Sequence, residues 1–318
     1  MIPVLDWRRF ATDPTGFVAA LGAAARGPGF FLLTGHDVPE KLRADMFAQA
    51  DVFFGLPLDR KQDISILKTP HYRGWAHDGL ESLDEKSGQK DRKESFNMGL
   101  DLPADDPRVI AGEPFRGVNQ WPDLPGFRET MLAYYDAALD LGIKLCRAIA
   151  RDLDQPEDFF DCAFIDPLAA LRVLHYPPAT GASGEIGAGA HSDYGVITLL
   201  MTDGEPGLQV KPRGGDWTDV PQVDGAYIVN IGDCLMRWTN DIYVSTQHRV
   251  LPPKRQRRSV AMFIEANPDV VVQALPGTGA PKYPPIRAAD YLQSRLDATY
   301  NAPVPKAPDQ TTPAGGMT

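Results

Sequence analysis

Two histidines and one aspartate have the residue types and the spacing of a metal site. His191 and Asp193 are separated by one residue in a stretch that reads as a β-strand, and side chains two apart on a strand point to the same face. His248 lies in a later apparent strand. Two imidazoles and one carboxylate form the facial triad that holds non-haem iron(II) and leaves coordination positions open. Because His-x-Asp is also common on protein surfaces, the interpretation depends on the residues that accompany it.

An arginine and a serine downstream of His248 could bind a carboxylate. Arg257 begins an apolar strand, and strand alternation places Ser259 and Phe263 on the same face. A guanidinium beside a hydroxyl suits bidentate recognition of a carboxylate. The other basic residues of the run 254–258 are more typical of a solvated turn, so only Arg257 is assigned to a site.

A third candidate strand, over residues 171–176, carries an arginine and a tyrosine on one face. Alternation sends Arg172 and Tyr176 to one side of this strand and His175 to the other. If Tyr176 faces the metal, Arg172 faces it too, either to bind a substrate carboxylate or to pair with an acidic side chain as a structural bridge. Both alternatives remain open, and His175 is interpreted as structural.

These residues together resemble the isopenicillin-N-synthase-like branch of the iron(II)- and 2-oxoglutarate-dependent oxygenases. The resemblance rests on H-S-D at 191–193, Q-H-R-V around His248 and R-R-S at 257–259, which matches the R-x-S of the family. Weaker similarity extends it from about residue 2 to about residue 300.

The resemblance implies a set of ligands and the residues that bind them. Iron(II) would be held by His191, Asp193 and His248, and 2-oxoglutarate would place its far carboxylate on Arg257 and Ser259. Dioxygen is then the second co-substrate, and ascorbate an auxiliary reductant.

One tyrosine matches a family motif only in part. In the plant members an N-x-Y-P motif supplies a tyrosine to the co-substrate, and here the stretch reads Leu174-His175-Tyr176-Pro177. Tyr176 matches the motif and Leu174 replaces its asparagine. We therefore expect Tyr176 to contact 2-oxoglutarate.

The expected activity is a 2-oxoglutarate-dependent dioxygenase that oxidises, most simply hydroxylates, a small molecule and releases succinate and carbon dioxide. Arg172 and Phe263 are the candidate substrate contacts, and Arg172 would suit a carboxylate-bearing substrate. One alternative is a 2-oxoglutarate-independent iron oxidase of the isopenicillin-N-synthase type, in which R-x-S binds the substrate carboxylate. Another is a non-catalytic jelly-roll binding protein. Substrate identity, the outcome of the oxidation and the oligomeric state stay open.

Short strands and turns dominate the second half of the chain. The candidate strands cover residues 171–176, 191–201, 208–211, 217–220, 227–231, 243–251 and 259–265. This rhythm indicates an antiparallel β-sandwich or barrel, with a tight turn at Gly232-Asp233. The resemblance narrows it to a double-stranded β-helix, a cupin-like jelly roll, within a mixed α+β chain.

The first half is predicted to be mixed α and β. Strands are expected at 2–6 and 30–34 and helices at 13–26, 39–54 and 125–153. Residues 60–120 read as irregular connections that could cover a pocket. We divide the chain into an N-terminal region with covering loops (1–120), a long helix with the catalytic core (121–300) and a flexible tail (301–318), within one integrated unit.

Composition limits the partners. The chain has 318 residues with 32 basic and 42 acidic side chains, a formal net charge of −10, which disfavours nucleic acid and anionic membranes as partners. The 29 glycines and 29 prolines suit many turns rather than a helical bundle. Three cysteines without a C-x-x-C pattern, and no long apolar run, predict a cytoplasmic protein.

Overall fold

Two largely antiparallel β-sheets and a layer of helices build the protein in a computed structural model that describes residues 1–84, 87 and 89–300. The described strands are β1 (Val4–Asp6), β2 (Phe30–Thr34), β3 (Gly74–Ala76), β4 (Glu94–Gly99), β5 (Ala170–Tyr176), β6 (Ala188–His191), β7 (Ile197–Thr202), β8 (Leu208–Lys211), β9 (Thr218–Asp219), β10 (Tyr227–Ile231), β11 (Gln247–Val250), β12 (Arg257–Ile264), β13 (Val271–Val272) and β14 (Ile286–Arg287). The described helices are α1 (Arg9–Thr12), α2 (Pro14–Arg26), α3 (Glu40–Phe54), α4 (Leu58–Asp63), α5 (Pro107–Ile110), α6 (Phe127–Asp152), α7 (Asp233–Trp238) and α8 (Ala288–Tyr300).

The two sheets form the jelly roll that the resemblance implies. The large sheet has the order β1-β2-β10-β7-β12-β5-β4-β3 and the small sheet the order β6-β11-β8-β9. Apolar side chains from both sheets share one buried cluster, which includes Phe30 and Leu174 of the large sheet and Val210 and Val250 of the small one. The space between the sheets is therefore a protein interior, and inward-facing residues of both sheets can meet there.

The helices cover the other face of the large sheet. Helix α6 contacts β7 and β12 as well as α2 and α3, and its buried side chains, among them Phe127, Tyr134 and Leu145, belong to the largest core cluster. Because burial of a large apolar side chain contributes about 2 kcal/mol to the free energy of unfolding, this layer is a major source of stability. It holds β12, the strand that begins with Arg257, in a fixed position.

Several predicted elements are confirmed. The helices predicted over 13–26, 39–54 and 125–153 correspond to α2, α3 and α6, and the strand predicted over 30–34 is β2. Asp13 caps α2 by accepting a hydrogen bond from the Gly16 amide at 3.0 Å, as expected for an acidic residue before a helix.

The prediction of irregular structure over residues 60–120 is wrong in part. Strands β3 and β4 lie there and extend the large sheet beyond β5. From Ser95 to Gly99 every residue of β4 is buried, because the strand is covered on both faces. The alternation that identifies a half-exposed strand is therefore missing from its sequence.

The long strand predicted over residues 191–201 is also wrong. Strand β6 of the small sheet ends at His191, and β7 of the large sheet begins at Ile197, so the chain crosses between the sheets at residues 192–196. The Gly232-Asp233 turn is instead the beginning of α7. A Cβ at Gly232 would lie 2.3 Å from the Gly195 carbonyl oxygen, so a glycine is required for this close approach.

The boundary predicted at residue 120 does not separate two sheets. Strands β1 to β4 and strands β5, β7, β10 and β12 form one sheet, and the three-part division stays a prediction. The tail predicted over 301–318 lies outside the described residues. Within the described residues, none of the helices combines the length and the apolarity needed to cross a bilayer.

Candidate active site

The predicted triad residues meet at one end of the small sheet. His191 in β6 and His248 in β11 are paired directly across the ladder, and their ring centroids are 4.2 Å apart. Oδ1 of Asp193 lies 3.8 Å from Nε2 of His191 and 3.6 Å from Nε2 of His248. Asp193 lies just beyond β6, so the shared strand face that the sequence suggested does not bring it here. It reaches the site because the chain turns toward the large sheet at this point.

Backbone carbonyls orient both imidazoles. Nδ1 of His191 is 2.7 Å from the Gly189 oxygen, and Nδ1 of His248 is 3.2 Å from the Thr246 oxygen. A carbonyl oxygen only accepts hydrogen bonds, so Nδ1 carries the proton in both rings. The Nε2 lone pairs therefore point at the space beside Asp193, where the potential ligand atoms of the three residues lie within 4.8 Å of one another.

Two hydrogen bonds hold the carboxylate of Asp193. Its Oδ2 accepts from Oγ1 of Thr198 at 2.6 Å and from Nδ2 of Asn230 at 2.7 Å, which leaves Oδ1 facing the imidazoles. Burial opposes ionisation, but the neighbouring imidazoles and these donors lower the pKa of Asp193, while burial beside His248 lowers the pKa of His191 to about 3. Neutral imidazole and carboxylate are the states that bind a divalent cation.

The hydrogen bond from Thr198 to Asp193 should contribute to metal affinity. Replacing Thr198 with valine keeps the shape of the side chain but removes one donor to Asp193, so we expect iron(II) affinity to fall by about 10–100-fold. Competition with a metal chelator measures the affinity. Thr202→Val on the same strand is the matched control, because Thr202 bonds to Gln222 at 3.0 Å and is not part of the site. Equal iron affinities for the two variants would contradict the proposed role of Thr198.

A buried guanidinium lies in the same cavity as the triad. Arg257 is fully buried, its Nε donates to the Glu205 carbonyl at 3.2 Å and its Nη1 to Oγ of Ser259 at 3.4 Å. Its Nη2 makes no hydrogen bond to the described residues. The Tyr176 ring lies 5.0 Å from the guanidinium carbon. An unsatisfied buried donor is costly, so Arg257 is suited to an anion that the protein itself does not provide.

This space, the Arg257 cavity, has a volume of about 70 Å³. Its lining includes the predicted site residues His191, Asp193, His248, Tyr176, Arg257, Ser259, Phe263 and Arg172. The alternation predicted along β12 and β5 is therefore confirmed, since their predicted side chains all reach one cavity.

A second space, the α8 cavity, also borders the triad residues His191 and Asp193. It has a volume of about 130 Å³, shares His191, Asp193, Phe263 and Arg172 with the Arg257 cavity, and is lined mainly by apolar side chains. Helix α8 contributes lining residues, Leu292, Leu296 and Tyr300. The sequence gave no signal that this segment covers a pocket.

Arg172 forms an ion pair in the structure. Its Nη2 contacts the Glu81 carboxylate and the Tyr300 hydroxyl, the latter at 3.0 Å, and its Nε donates to Asn97 at 3.0 Å. Glu81 is buried as well. Of the two alternatives for Arg172, the structural bridge is present, and its contact with substrate stays a prediction.

Sequence analysis missed Glu265, which also lines the α8 cavity. It continues the series 257, 259, 261, 263 along β12, and extending the alternation by one step would have identified it. Its carboxyl group makes no hydrogen bond within the described residues. Burial, with the carboxylates of Asp193 and Asp233 nearby, raises the pKa of Glu265 to about 8.

Glu265 therefore makes stability depend on pH in the metal-free protein. Its folded pKa of about 8 lies above the ordinary value of 4.5, so the folded state binds more protons than the unfolded state between these values. The contribution of Glu265 to the free energy of unfolding should fall as pH rises from about 4.5 to 8, by a few kcal/mol at about 1.4 kcal/mol per pH unit. The lowered pKa of His191 acts in the opposite direction below its ordinary value of 6.5, so the net fall should be seen mainly between about pH 6.5 and 8. Glu265→Gln should remove this contribution and leave that of His191 in place.

Urea unfolding of the metal-free protein at pH 5.5, 7 and 8.5 measures it. The exposed Glu113→Gln is the control and should keep the wild-type slope. Parallel pH profiles for Glu265→Gln and the wild type would contradict the burial of an ionisable group at this position.

Comparison with known proteins identifies the family. Residues 2–124 match the family model described as non-haem dioxygenase in morphine synthesis N-terminal, and residues 167–266 match the 2OG-Fe(II) oxygenase superfamily. The 2-oxoglutarate-Fe(II) type oxidoreductase hxnY of Emericella nidulans is 37% identical over 315 residues, covering 94% of this chain and 90% of that protein. The chain belongs to the 2OG-Fe(II) oxygenase superfamily.

Solved structures of the superfamily show the same fold. A full-length Neurospora crassa protein solved in complex with alpha-KG and thymine is 31% identical, with a TM-score of 0.82 over 93% of this chain and 96% of that one. JOX2 in complex with 2OG, Fe and JA is 29% identical, with a TM-score of 0.78 over 93% and 84%. The chain is therefore an iron(II)- and 2-oxoglutarate-dependent dioxygenase that acts on a small molecule, and its cofactor and co-substrates are iron(II), 2-oxoglutarate and dioxygen.

Proposed function

We propose that His191, Asp193 and His248 bind the iron and that Arg257, Ser259 and Tyr176 bind 2-oxoglutarate. The observation that carries this proposal is the unpartnered Nη2 of Arg257, which lies in one cavity with all three candidate metal ligands. A single dicarboxylate can then contact the metal at one end and the guanidinium at the other.

The donor set fits iron(II). Two neutral imidazoles and one carboxylate are borderline and hard ligands that match the facial triad of non-haem iron enzymes. The orientation of each ligand is fixed by a second bond, to Gly189, Thr246, Thr198 or Asn230. Iron(II) bound with 2-oxoglutarate supplies oxidation by dioxygen, with succinate and carbon dioxide as products of the co-substrate.

The residues around Arg257 fit the far carboxylate of 2-oxoglutarate. The guanidinium can donate from Nη2, and the Ser259 hydroxyl, 3.4 Å from Nη1, can rotate to donate as well. Leu174, Leu208 and Val250 line the walls of the cavity and keep water away, which strengthens a charge-assisted hydrogen bond. The protein thus positions the co-substrate rather than reacting with it.

The α8 cavity is the proposed substrate site. It is lined by His191 and Asp193, so a molecule bound in it would lie beside a metal held by these residues, and Phe263 forms part of its apolar wall. We propose hydroxylation of a small, mainly apolar substrate, with Arg172 and Phe263 as contacts and a substrate carboxylate as one chemistry that the site accommodates. The Neurospora crassa protein and JOX2 are solved with thymine and JA respectively, which supports a small organic substrate.

The reaction products test this proposal. Purified protein supplied with iron(II) and ascorbate should convert 2-oxoglutarate to succinate slowly without substrate, and faster with a suitable small molecule. A 2-oxoglutarate-independent oxidase would release no succinate, and a binding protein would consume no oxygen. Absence of succinate release under all conditions would overturn the proposal.

We also propose that the enzyme works in the cytoplasm. Cys146 and Cys234 are free buried thiols and Cys162 is free and exposed, which suits a reducing compartment. Fractionation of the source cells with an antibody against the chain tests the location.

A further inference from the structure

The α8 cavity contains an arginine that forms no ion pair with any acidic side chain of the described residues. Arg73 directly precedes β3 and is 5% exposed. Its Nη2 donates to the Phe115 carbonyl oxygen at 3.1 Å, and its Nε is buried without a hydrogen-bond partner. No carboxylate in the described part of the chain forms an ion pair with it.

Arg172 in the same cavity differs from Arg73 in this respect. Its charge is matched by Glu81, and the Tyr300 hydroxyl and Asn97 complete its hydrogen bonds. An anion that bound to Arg172 would have to share it with a buried carboxylate of the same sign. Arg73 carries no such competition, so it is the more favourable anion site.

Arg73 is both charged and rigid. Burial lowers the pKa of Arg73 to about 10, which leaves the group protonated at neutral pH. A Cβ at Gly99 would lie 1.6 Å from Nη1 of Arg73, so the guanidinium packs directly on the backbone of β4 and has little freedom to turn. A fixed, desolvated guanidinium gains strongly from an anion in direct contact, and among the described residues Asp101 acts on Arg73 only from a distance, without an ion pair.

The rest of the cavity limits the kind of anion. Its walls include Phe115, Leu168, Leu292 and Leu296, and its volume is about 130 Å³. A polyanion would leave charges against these apolar walls at high cost. A molecule with one carboxylate and a small apolar body satisfies both the guanidinium and the walls.

We propose that Arg73 binds the carboxylate of the substrate, and that the enzyme therefore oxidises small, mainly apolar monocarboxylic acids. This inference rests on the proposed function, because it takes the α8 cavity as the substrate site. It assigns the carboxylate contact to a residue of the N-terminal region rather than to Arg172. The apolar body then extends from Arg73 toward His191 and Asp193.

Matched pairs of acids and amides test the inference. The protein is loaded with manganese(II), which replaces iron without turnover, and saturated with 2-oxoglutarate so that Arg257 is occupied. Benzoate and benzamide, phenylacetate and phenylacetamide, and indole-3-acetate and its amide are then titrated by calorimetry. We expect at least one acid to bind at least 10-fold more tightly than its amide.

Variants assign the selectivity to a residue. Arg73→Met should weaken binding of that acid by at least 10-fold and remove the preference over the amide, with 2-oxoglutarate affinity unchanged. Arg73→Lys keeps the charge but loses the planar, bidentate guanidinium, so it should retain part of the preference. Arg43→Met is the control, because Arg43 also donates to a backbone carbonyl, at 3.0 Å, and has an unpartnered Nε, but lies outside the cavity.

Three results overturn the inference: no acid binds better than its amide, the preference survives Arg73→Met, or Arg43→Met removes it equally. If the preference for the acid persists in Arg73→Met, the carboxylate contact would be assigned to Arg172. If Arg73→Met does not fold, full preference in Arg73→Lys overturns the inference, and a reduced preference supports it. In each case the proposed function stands if the protein still binds 2-oxoglutarate. If the wild-type protein itself does not bind 2-oxoglutarate, the proposed function is refuted.

Discussion

Replacing Arg257 with leucine should weaken 2-oxoglutarate binding by about 100-fold or more while iron(II) binding stays unchanged. Loss of one partner from a buried charge pair costs about 2–5 kcal/mol, and the guanidinium is fully buried with a free Nη2. The three candidate metal ligands do not bond to Arg257, so the metal site should persist. Calorimetric titration of 2-oxoglutarate into the metal-loaded variant measures the effect.

Arg255→Gln is the matched control for this prediction. Arg255 lies two residues away and pairs with the Glu205 carboxylate at 2.7 Å, but its side chain is 83% exposed. The Arg255→Gln variant should therefore bind 2-oxoglutarate with the affinity of the wild type. The 2-oxoglutarate affinity of Arg257→Lys should lie between those of the wild type and Arg257→Leu, since lysine keeps the charge but lacks the planar guanidinium that binds a carboxylate with two hydrogen bonds. A change of less than about 3-fold in Arg257→Leu would show that the co-substrate binds elsewhere.

Replacing Asp193 with alanine should remove stoichiometric iron and lower turnover by at least about 1,000-fold. In the proposed site Asp193 would supply the anionic ligand, because its Oδ1 is the atom that faces both imidazoles. Two neutral imidazoles alone bind iron(II) weakly and do not fix three adjacent coordination positions. Metal analysis after desalting and succinate release together measure the loss.

Asp219→Ala controls for removal of a carboxylate from the small sheet. Asp219 lies in β9, is exposed and bonds to Gln209 at 2.9 Å, so this variant should bind iron normally. Thermal unfolding of the metal-free proteins establishes that Asp193→Ala is folded. One iron per chain and 2-oxoglutarate-dependent turnover in Asp193→Ala would exclude Asp193 as a ligand.

The sequence predicts which residues form the site better than it predicts the strands and crossings that bring them together. Arg257, Ser259 and Phe263 lie on a regular strand, so alternation alone places them in the cavity. Asp193 reaches the same place from a segment that crosses between the sheets. Local periodicity does not describe such a crossing, because the position of the crossing depends on the pairing of two separate sheets.

The substrate side of the site is less predictable for a physical reason. Arg73, Glu265 and Tyr300 come from distant parts of the chain and meet only in the folded protein. The pairing of Arg172 with Glu81 likewise depends on tertiary structure, since the sequence offers many acidic residues as partners. Whether Arg73 or Arg172 forms an ion pair with an acidic side chain depends on the whole packing arrangement, and no short motif encodes it.

Anaerobic titration of 2-oxoglutarate into the iron(II)-loaded protein tests the central claim most directly. The account predicts one 2-oxoglutarate bound per chain, with tight binding that requires the metal, survives in Arg255→Gln and Asp219→Ala and is lost in Arg257→Leu and Asp193→Ala. Equal binding to the metal-free protein, or unchanged binding in Arg257→Leu, would contradict the assignment of one cavity that joins the triad to Arg257.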